Sequence, residues 1–320
     1  MKAKLTILIL LVLCLVACKP AQPGTGTPEP VATESQEQPP ATTEPPPPTE
    51  QPTEPPTEMP FDLQPAAGQR LEFEAEDEAK LVGYYYPAII PNAPVIVLMH
   101  WAGGTQVDWM DVGLVQWLQN RLDENPIPEE QEAIYPPMPP GLSFAVFTFD
   151  FRNFGESQSF PGASFSTLAT GWLMDAKAAY KTAKEMTGVD PTRVAGLGSS
   201  IGADGVVDAC VGATCLGTFS LSPGGYLQIP YDNAVTDLAD EAWITIPEPD
   251  DPTAPIFCVA SVQDLPCADA CQSITADPYQ YILFPGEAHG TLLLKVPTNP
   301  PDIGQIILDW LLFTFQISAE

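Results

Sequence analysis

Positive charge is scarce in this chain of 320 residues: 12 Lys and Arg stand against 41 Asp and Glu, a formal net charge of −29. A nucleic-acid partner needs clustered basic side chains against its phosphates, so that class is excluded. Docking onto an anionic surface through a basic patch is excluded on the same ground. Charged residues of both signs reach only 17% while apolar residues reach 45%, a balance that suits a packed core. Residues 61–320 are enough for one α/β domain. Histidine is rarer still, with His100 and His289 the only two. Any chemistry that needs an imidazole base has little to draw on. Long apolar runs are missing too, apart from one at the start.

That run, Leu5 to Val16, follows Lys2 and Lys4 and is broken only by Thr6 and Cys14. It is too short for a comfortable membrane span and stands where a secretory signal has its apolar region. It ends in Leu15-Val16-Ala17-Cys18, which resembles the lipobox of bacterial lipoproteins. The resemblance implies that residues 1–17 are a signal peptide and that Cys18 carries a lipid. An ordinary signal peptide with an incidental cysteine is the plainer alternative. Residues 18–60 are Pro, Thr, Glu and Gln with almost nothing to bury, which predicts an extended, solvated tether. Where polyproline-like, it would hold the domain on the order of 100 Å from a bilayer. The expectation is an exported lipoprotein, anchored outside the cytoplasm, with the bilayer as a partner through Cys18.

Five cysteines fall in the remaining chain. In an oxidising compartment near neighbours are candidates for bridges, so Cys210 is paired with Cys215 and Cys267 with Cys271, leaving Cys258 as a buried free thiol. A zinc site is the weaker reading, because no histidine lies near these cysteines in sequence.

The pattern of residues 61–320 predicts strands alternating with helices. Strands are expected at Leu71–Ala75, Leu81–Tyr86, Val95–Met99, Phe144–Phe149, Arg193–Leu197, Leu216–Leu221, Ile256–Ala260 and Tyr279–Phe284. Helices are expected at Val107–Leu122, at Thr170–Met186, from Ile201, near Leu238–Trp243 and at Ile303–Phe315. Asp123–Gly141, rich in Pro and acid, reads as a surface insertion that could overhang a site. Alternating elements imply a mostly parallel sheet of about eight strands covered by helices on both faces. Ligands of such sheets bind beyond the carboxyl ends of the strands.

Four of those strand ends carry unusual loops. Gly198-Ser199-Ser200-Ile201-Gly202 is a G-x-S-x-G run between a strand and a helix, a sharp turn that lifts a serine hydroxyl above the sheet. His100-Trp101-Ala102-Gly103-Gly104 follows the Val95 strand, Ser261-Val262-Gln263-Asp264 the Ile256 strand, and Gly286-Glu287-Ala288-His289-Gly290 the last strand. A serine hydroxyl is a poor nucleophile until a base in hydrogen-bond reach takes its proton. A carboxylate behind that base fixes its tautomer and stabilises its charge.

Together these loops, in the order Ser200, Asp264, His289, resemble the α/β-hydrolase superfamily, in its esterase and dienelactone-hydrolase-like branch. The resemblance covers Leu71 to Phe315. It implies the α/β-hydrolase fold with a small lid, and a triad of Ser200, Asp264 and His289. It further implies an oxyanion hole from the backbone N–H groups of Ala102 and Ile201, and no metal or organic cofactor. Trp101 stands where the family has Gly. His100 is expected to bond loop backbone rather than act as base. Asp269, Asp232 and Asp237 are rival acids. Asp150-Phe151-Arg152-Asn153-Phe154-Gly155-Glu156-Ser157 matches a further family run, with Asn153 in place of a Gly, and implies loop-pinning roles for Asp150 and Arg152. The activity implied is hydrolysis of an ester or related acyl bond of a small-molecule substrate. A serine peptidase acting on exported peptides, and a binding lipoprotein of the same fold without turnover, are the alternatives. The sequence carries no reading of oligomeric state.

Overall fold

The unbroken apolar runs become the centre of one sheet. In the computed structural model, which describes residues 62–212, 215–227, 229–248, 251–295 and 302–318, strands β3 (Ala93–Met99), β4 (Ala145–Asp150) and β7 (Ile256–Ser261) have every residue buried. The expected signal, the Cys18 anchor and the tether lie outside the described residues. Strands β3, β4 and β7 join β1 (Gln69–Glu74), β2 (Lys80–Tyr86), β5 (Val189–Ser199), β6 (Gly217–Leu221) and β8 (Tyr279–Phe284) in a sheet ordered β1-β2-β4-β3-β5-β6-β7-β8. The pairings β1–β2 and β2–β4 are antiparallel and the rest parallel. This is the expected α/β-hydrolase fold.

Alternation along the strands divides the core into two layers. Val95, Val97 and Met99 of β3 face a layer that holds Tyr180, Val206, Leu238 and Cys271. Their neighbours Ile96 and Leu98 face the other, with Trp109, Leu114, Trp117 and Trp310. The first layer is covered by helices α3 (Phe165–Lys184), α4 (Ile201–Asp208), α5 (Tyr231–Ala239) and α6 (Leu265–Gln272). The second is covered by α1 (Asp108–Asp111), α2 (Leu114–Gln119) and α7 (Ile303–Thr314). Among the described residues no helix is long and apolar enough to cross a membrane.

Local chemistry moves several boundaries. The helix expected over Val107–Leu122 is two short helices, broken at Gly113, whose φ of 75° no helix accommodates. Helix α3 starts five residues early because Ser164 caps it, its hydroxyl accepting from the Thr167 N–H at 3.2 Å. The helix expected near Leu238–Trp243 instead ends at Ala239. The acidic insertion is anchored by Tyr135. Tyr135 stacks on Trp117 at 5.0 Å and donates to the Val112 carbonyl, so the segment belongs to the second layer.

The cysteines correct one pairing. Cys210–Cys215 is bridged as expected, but Cys271 pairs with Cys258, and Cys267 is free and buried. Cys267 and Cys271 sit one turn apart on α6, and the Cys267 sulfur is directed to the Tyr226 hydroxyl and His289 Nδ1. Cys258 belongs to the β7 face that α6 covers, with its Cα 5.7 Å from that of Cys271. Two disulfides fit an oxidising, extracytoplasmic compartment.

Candidate active site

Strand β5 runs to Ser199 and α4 begins at Ile201, so Ser200 alone makes the turn. Its φ of 55° and ψ of −116° are conformations a side chain rarely adopts, at a cost of about 1–3 kcal/mol. Neighbouring bonds hold it there. The Ser200 N–H donates to the Leu221 carbonyl of β6 at 2.9 Å, and its own carbonyl accepts from Ala203 and Asp204. The flanking glycines are required by close approach. A Cβ on Gly198 would lie 2.0 Å from the Gly202 carbonyl oxygen, and one on Gly202 would lie 2.1 Å from that of Met99. The first turn of α4 is thereby pressed against the backbone that leads into the Ala102 loop. Among the described residues, neither the Ala102 nor the Ile201 N–H has an acceptor in the protein.

His289 is held on the other side of Ser200 by three hydroxyls that sequence reasoning missed. Ser199, at the end of β5, accepts from the Thr291 N–H at 3.1 Å. Ser222, just past β6, accepts from the Gly290 N–H at 3.0 Å. Ser261, at the end of β7, donates to the Ala288 carbonyl at 2.7 Å. The signal was a serine at each of three adjacent strand ends. His289 Nδ1 lies 2.8 Å from Asp264 Oδ2, so Asp264, and none of Asp269, Asp232 or Asp237, engages the ring. The His289 and Asp264 side chains keep 30% and 14% of their surface open. The Ser200 hydroxyl makes no hydrogen bond to His289. Such bonds commonly form only once substrate is bound.

Cys267 was read as half of a bridge and stands at the site instead. It lies three residues beyond Asp264, one turn into α6, and its sulfur is 3.8 Å from His289 Nδ1 and 3.5 Å from the Tyr226 hydroxyl. Burial is the main reason its thiol is pushed up to about 12. Asp264, Cys267 and His289 thus offer an oxygen, a sulfur and a nitrogen that all lie within 4.8 Å of one another. The spacing Asp264-x-x-Cys267 after a strand was the available signal.

His100 is placed differently. It is wholly buried, its Nδ1 is 2.8 Å from the Trp101 carbonyl, and its Nε2 accepts from the Phe151 N–H at 3.0 Å. Those partners require the proton on Nδ1, and burial lowers its pKa, so the ring is neutral. Both nitrogens are committed to backbone, as expected. Asp150 accepts from the Gln106 and Glu156 N–H groups, and Arg152 forks onto Asp175 and Asp77 at 2.7 and 2.6 Å. Buried Asp204 of α4 accepts from the N–H groups of Gly224, Gly225 and Tyr226, tying down the loop after β6. Trp101 donates to Asp108 at 2.6 Å. With Asp108, His289, Thr291, Leu292 and Lys295 it lines a cavity of about 260 Å³.

No family model matches the chain. It is similar to the uncharacterized protein YfhR of Salmonella typhi, 29% identical over 156 residues, which are 46% of this chain and 43% of that protein. The match therefore spans less than half the length of that relative. It is also similar to the uncharacterized protein Rv2307c of Mycobacterium tuberculosis, 25% identical over 255 residues, covering 76% and 77% of the two chains. Among solved structures, the Pyrococcus furiosus esterase Pf2001 superposes with a TM-score of 0.51 at 16% identity, over 77% of this chain and 92% of that one. The α/β hydrolase GrgF of Penicillium gives 0.51 at 14% identity, over 78% and 100%. Acetyl xylan esterase 1 of Thermoanaerobacterium gives 0.50 at 15%, over 81% and 87%. At such identities the likeness establishes the fold.

Proposed function

We propose that the protein is a serine hydrolase that cleaves a carboxylic ester, or a related acyl bond, of a small molecule through an acyl-enzyme. The observation that carries this reading is the His289 ring, oriented by Asp264 at 2.8 Å on a loop tied to the residue before Ser200. With Nδ1–H donating to Asp264, Nε2 is left with a lone pair to accept the Ser200 proton. Ser200 attacks the acyl carbonyl, and the Ala102 and Ile201 N–H groups, free of other acceptors, receive the developing oxyanion. His289 passes the proton to the leaving alkoxide. Water, activated by the same ring, then frees the acyl group. Two structural neighbours are named as esterases, which agrees with this choice among acyl transfers. Export and anchoring through Cys18 belong to the same reading. In a bacterial host, Cys18→Ser should release the protein from the membrane fraction.

The test is incubation with a fluorophosphonate probe and with a short-chain nitrophenyl ester, beside Ser200→Ala. Labelling and turnover confined to the wild type support the proposal. A folded protein that neither labels nor turns over any ester returns the weight to a binding role. The missing Ser200–His289 hydrogen bond is what favours that second reading.

A further inference from the structure

One reactive side chain beside the proposed triad has no part in it. Cys267 is buried and unbridged, whereas the other described cysteines are paired. Asp264 and Cys267 are fixed on the first turn of α6, and His289 arrives on the loop held by Ser199, Ser222 and Ser261. Packing therefore holds all three donors together without help from an ion.

We propose that Asp264, Cys267 and His289 form a binding site for a thiophilic divalent cation, Zn²⁺ or Cd²⁺, and that filling it switches the hydrolase off. The switching part rests on the triad reading above. The donor set selects the metal. A thiolate and an imidazole suit Zn²⁺ and its heavier congener, whereas Mg²⁺ and Ca²⁺ need oxygen ligands. Tetrahedral zinc with bonds of about 2.3 Å to sulfur and about 2.0 Å to nitrogen and oxygen spreads sulfur from nitrogen by about 3.6 Å and nitrogen from oxygen by about 3.3 Å. Here the sulfur–nitrogen distance is already 3.8 Å. The nitrogen–oxygen distance is 2.8 Å, so the carboxylate has to withdraw by about half an ångström. The side chain of His289 is 30% exposed, which leaves solvent access for a fourth, water ligand.

Binding releases the Cys267 thiol proton to solvent, and the metal takes Nδ1 of His289 as the single proton of the neutral ring moves from Nδ1 to Nε2. The ring then carries that proton on the atom that has to accept from Ser200. Asp264, now a metal ligand, no longer orients the ring. A metal on Nδ1 and a base on Nε2 are mutually exclusive.

The experiment titrates the metal-free full chain with Cd²⁺ and follows the ultraviolet charge-transfer band of the Cd–thiolate bond beside ester turnover and fluorophosphonate labelling. Cys267→Ala, the isosteric Cys267→Ser and Mg²⁺ serve as controls. The expected result is a band saturating at one equivalent that disappears in Cys267→Ala. Turnover and labelling should fall together with it, more than about tenfold, and recover with chelator. Loss of Cys267 should raise the inhibitory concentration by at least the ~10–100-fold that removal of an outer-shell group causes, while turnover without metal persists. Absence of the Cys267-dependent band overturns the site. Equal inhibition of wild type and both variants overturns the switch. A band in a protein that neither hydrolyses nor labels upholds the metal site and overturns the switch together with the hydrolase reading.

Discussion

The two histidine loops leave β3 and β8, strands that β5, β6 and β7 separate in the sheet, and they use their rings in opposite ways. In the His100 loop the ring is buried, and each nitrogen is bound to backbone. In the His289 loop the ring is partly open, and one nitrogen is engaged by a carboxylate. The contrast teaches that the number of nitrogen partners, more than the residue type, separates a histidine that holds a loop from one that can move a proton. A ring with both nitrogens committed would have to break a buried hydrogen bond before accepting a proton.

The largest expected effects bear directly on this contrast. Ser200→Ala and His289→Ala should each lower ester turnover on the order of 10⁶-fold. Asp264→Asn, which leaves the ring in the wrong tautomer, should lower it on the order of 10⁴-fold. Steady-state kinetics on folded protein checks all three, and a variant at Asp264 that keeps wild-type kcat would dissolve the distinction. Beneath the His100 loop, Arg152→Ala leaves the fully buried Asp175 without its charged partner, the backbone N–H of residue 152 still donating to it. A loss of about 3–5 kcal/mol in urea unfolding is expected.

Next comes His100→Ala, expected to lower stability by about 2 kcal/mol by stranding the Phe151 N–H. Turnover of the folded fraction should change far less than in His289→Ala. Full loss of turnover at unchanged stability would reverse the assignment of the two rings. Burial lowers the His100 pKa below its ordinary 6.5. The unfolded chain therefore binds the extra proton first, and the ring's contribution to stability, present above pH 6.5, declines as pH falls below it. Denaturant midpoints across that range should show the decline in wild type and lose it in the variant.

The smallest effect extends the contrast to a buried carboxyl group. Among the described residues neither oxygen of Asp208 has a hydrogen-bond partner, and burial pushes its pKa up to about 8. The folded state holds the proton more tightly there, so wild-type stability declines as pH rises from the ordinary 3.8 toward about 8. Asp208→Asn should raise the melting temperature at pH 8, leave it unchanged near pH 4, and flatten the profile between. A variant that melts lower at pH 8 would mean the charge is compensated.

Much of this was legible from the chain. The fully apolar runs at Val95, Phe144 and Ile256 became central strands, because a strand covered on both faces has no polar alternation to obscure it. The loops holding Ser200, Asp264 and His289 followed from their places after strands. Helix α6 was not legible. It is short, has a proline as its second residue, and its two inward cysteines read equally well as a bridge. The helix α5 boundary was lost in an irregular stretch for the same lack of periodicity. The hydroxyls of Ser199, Ser222 and Ser261 were invisible as a set, because they lie far apart in sequence and meet only where adjacent strands end.

The sequence by itself determined the order of the eight strands, the tight turn at Ser200 between Gly198 and Gly202, and the choice of only two histidines. Those are properties of local pattern and composition. The tertiary structure alone decided that Cys258 bridges Cys271, that Cys267 faces His289, and that Asp264 reaches the ring while three rival acids do not. Each depends on the direction a side chain takes from a packed element. Spacing along the chain carries direction within one helix or strand and loses it across the loops that join them.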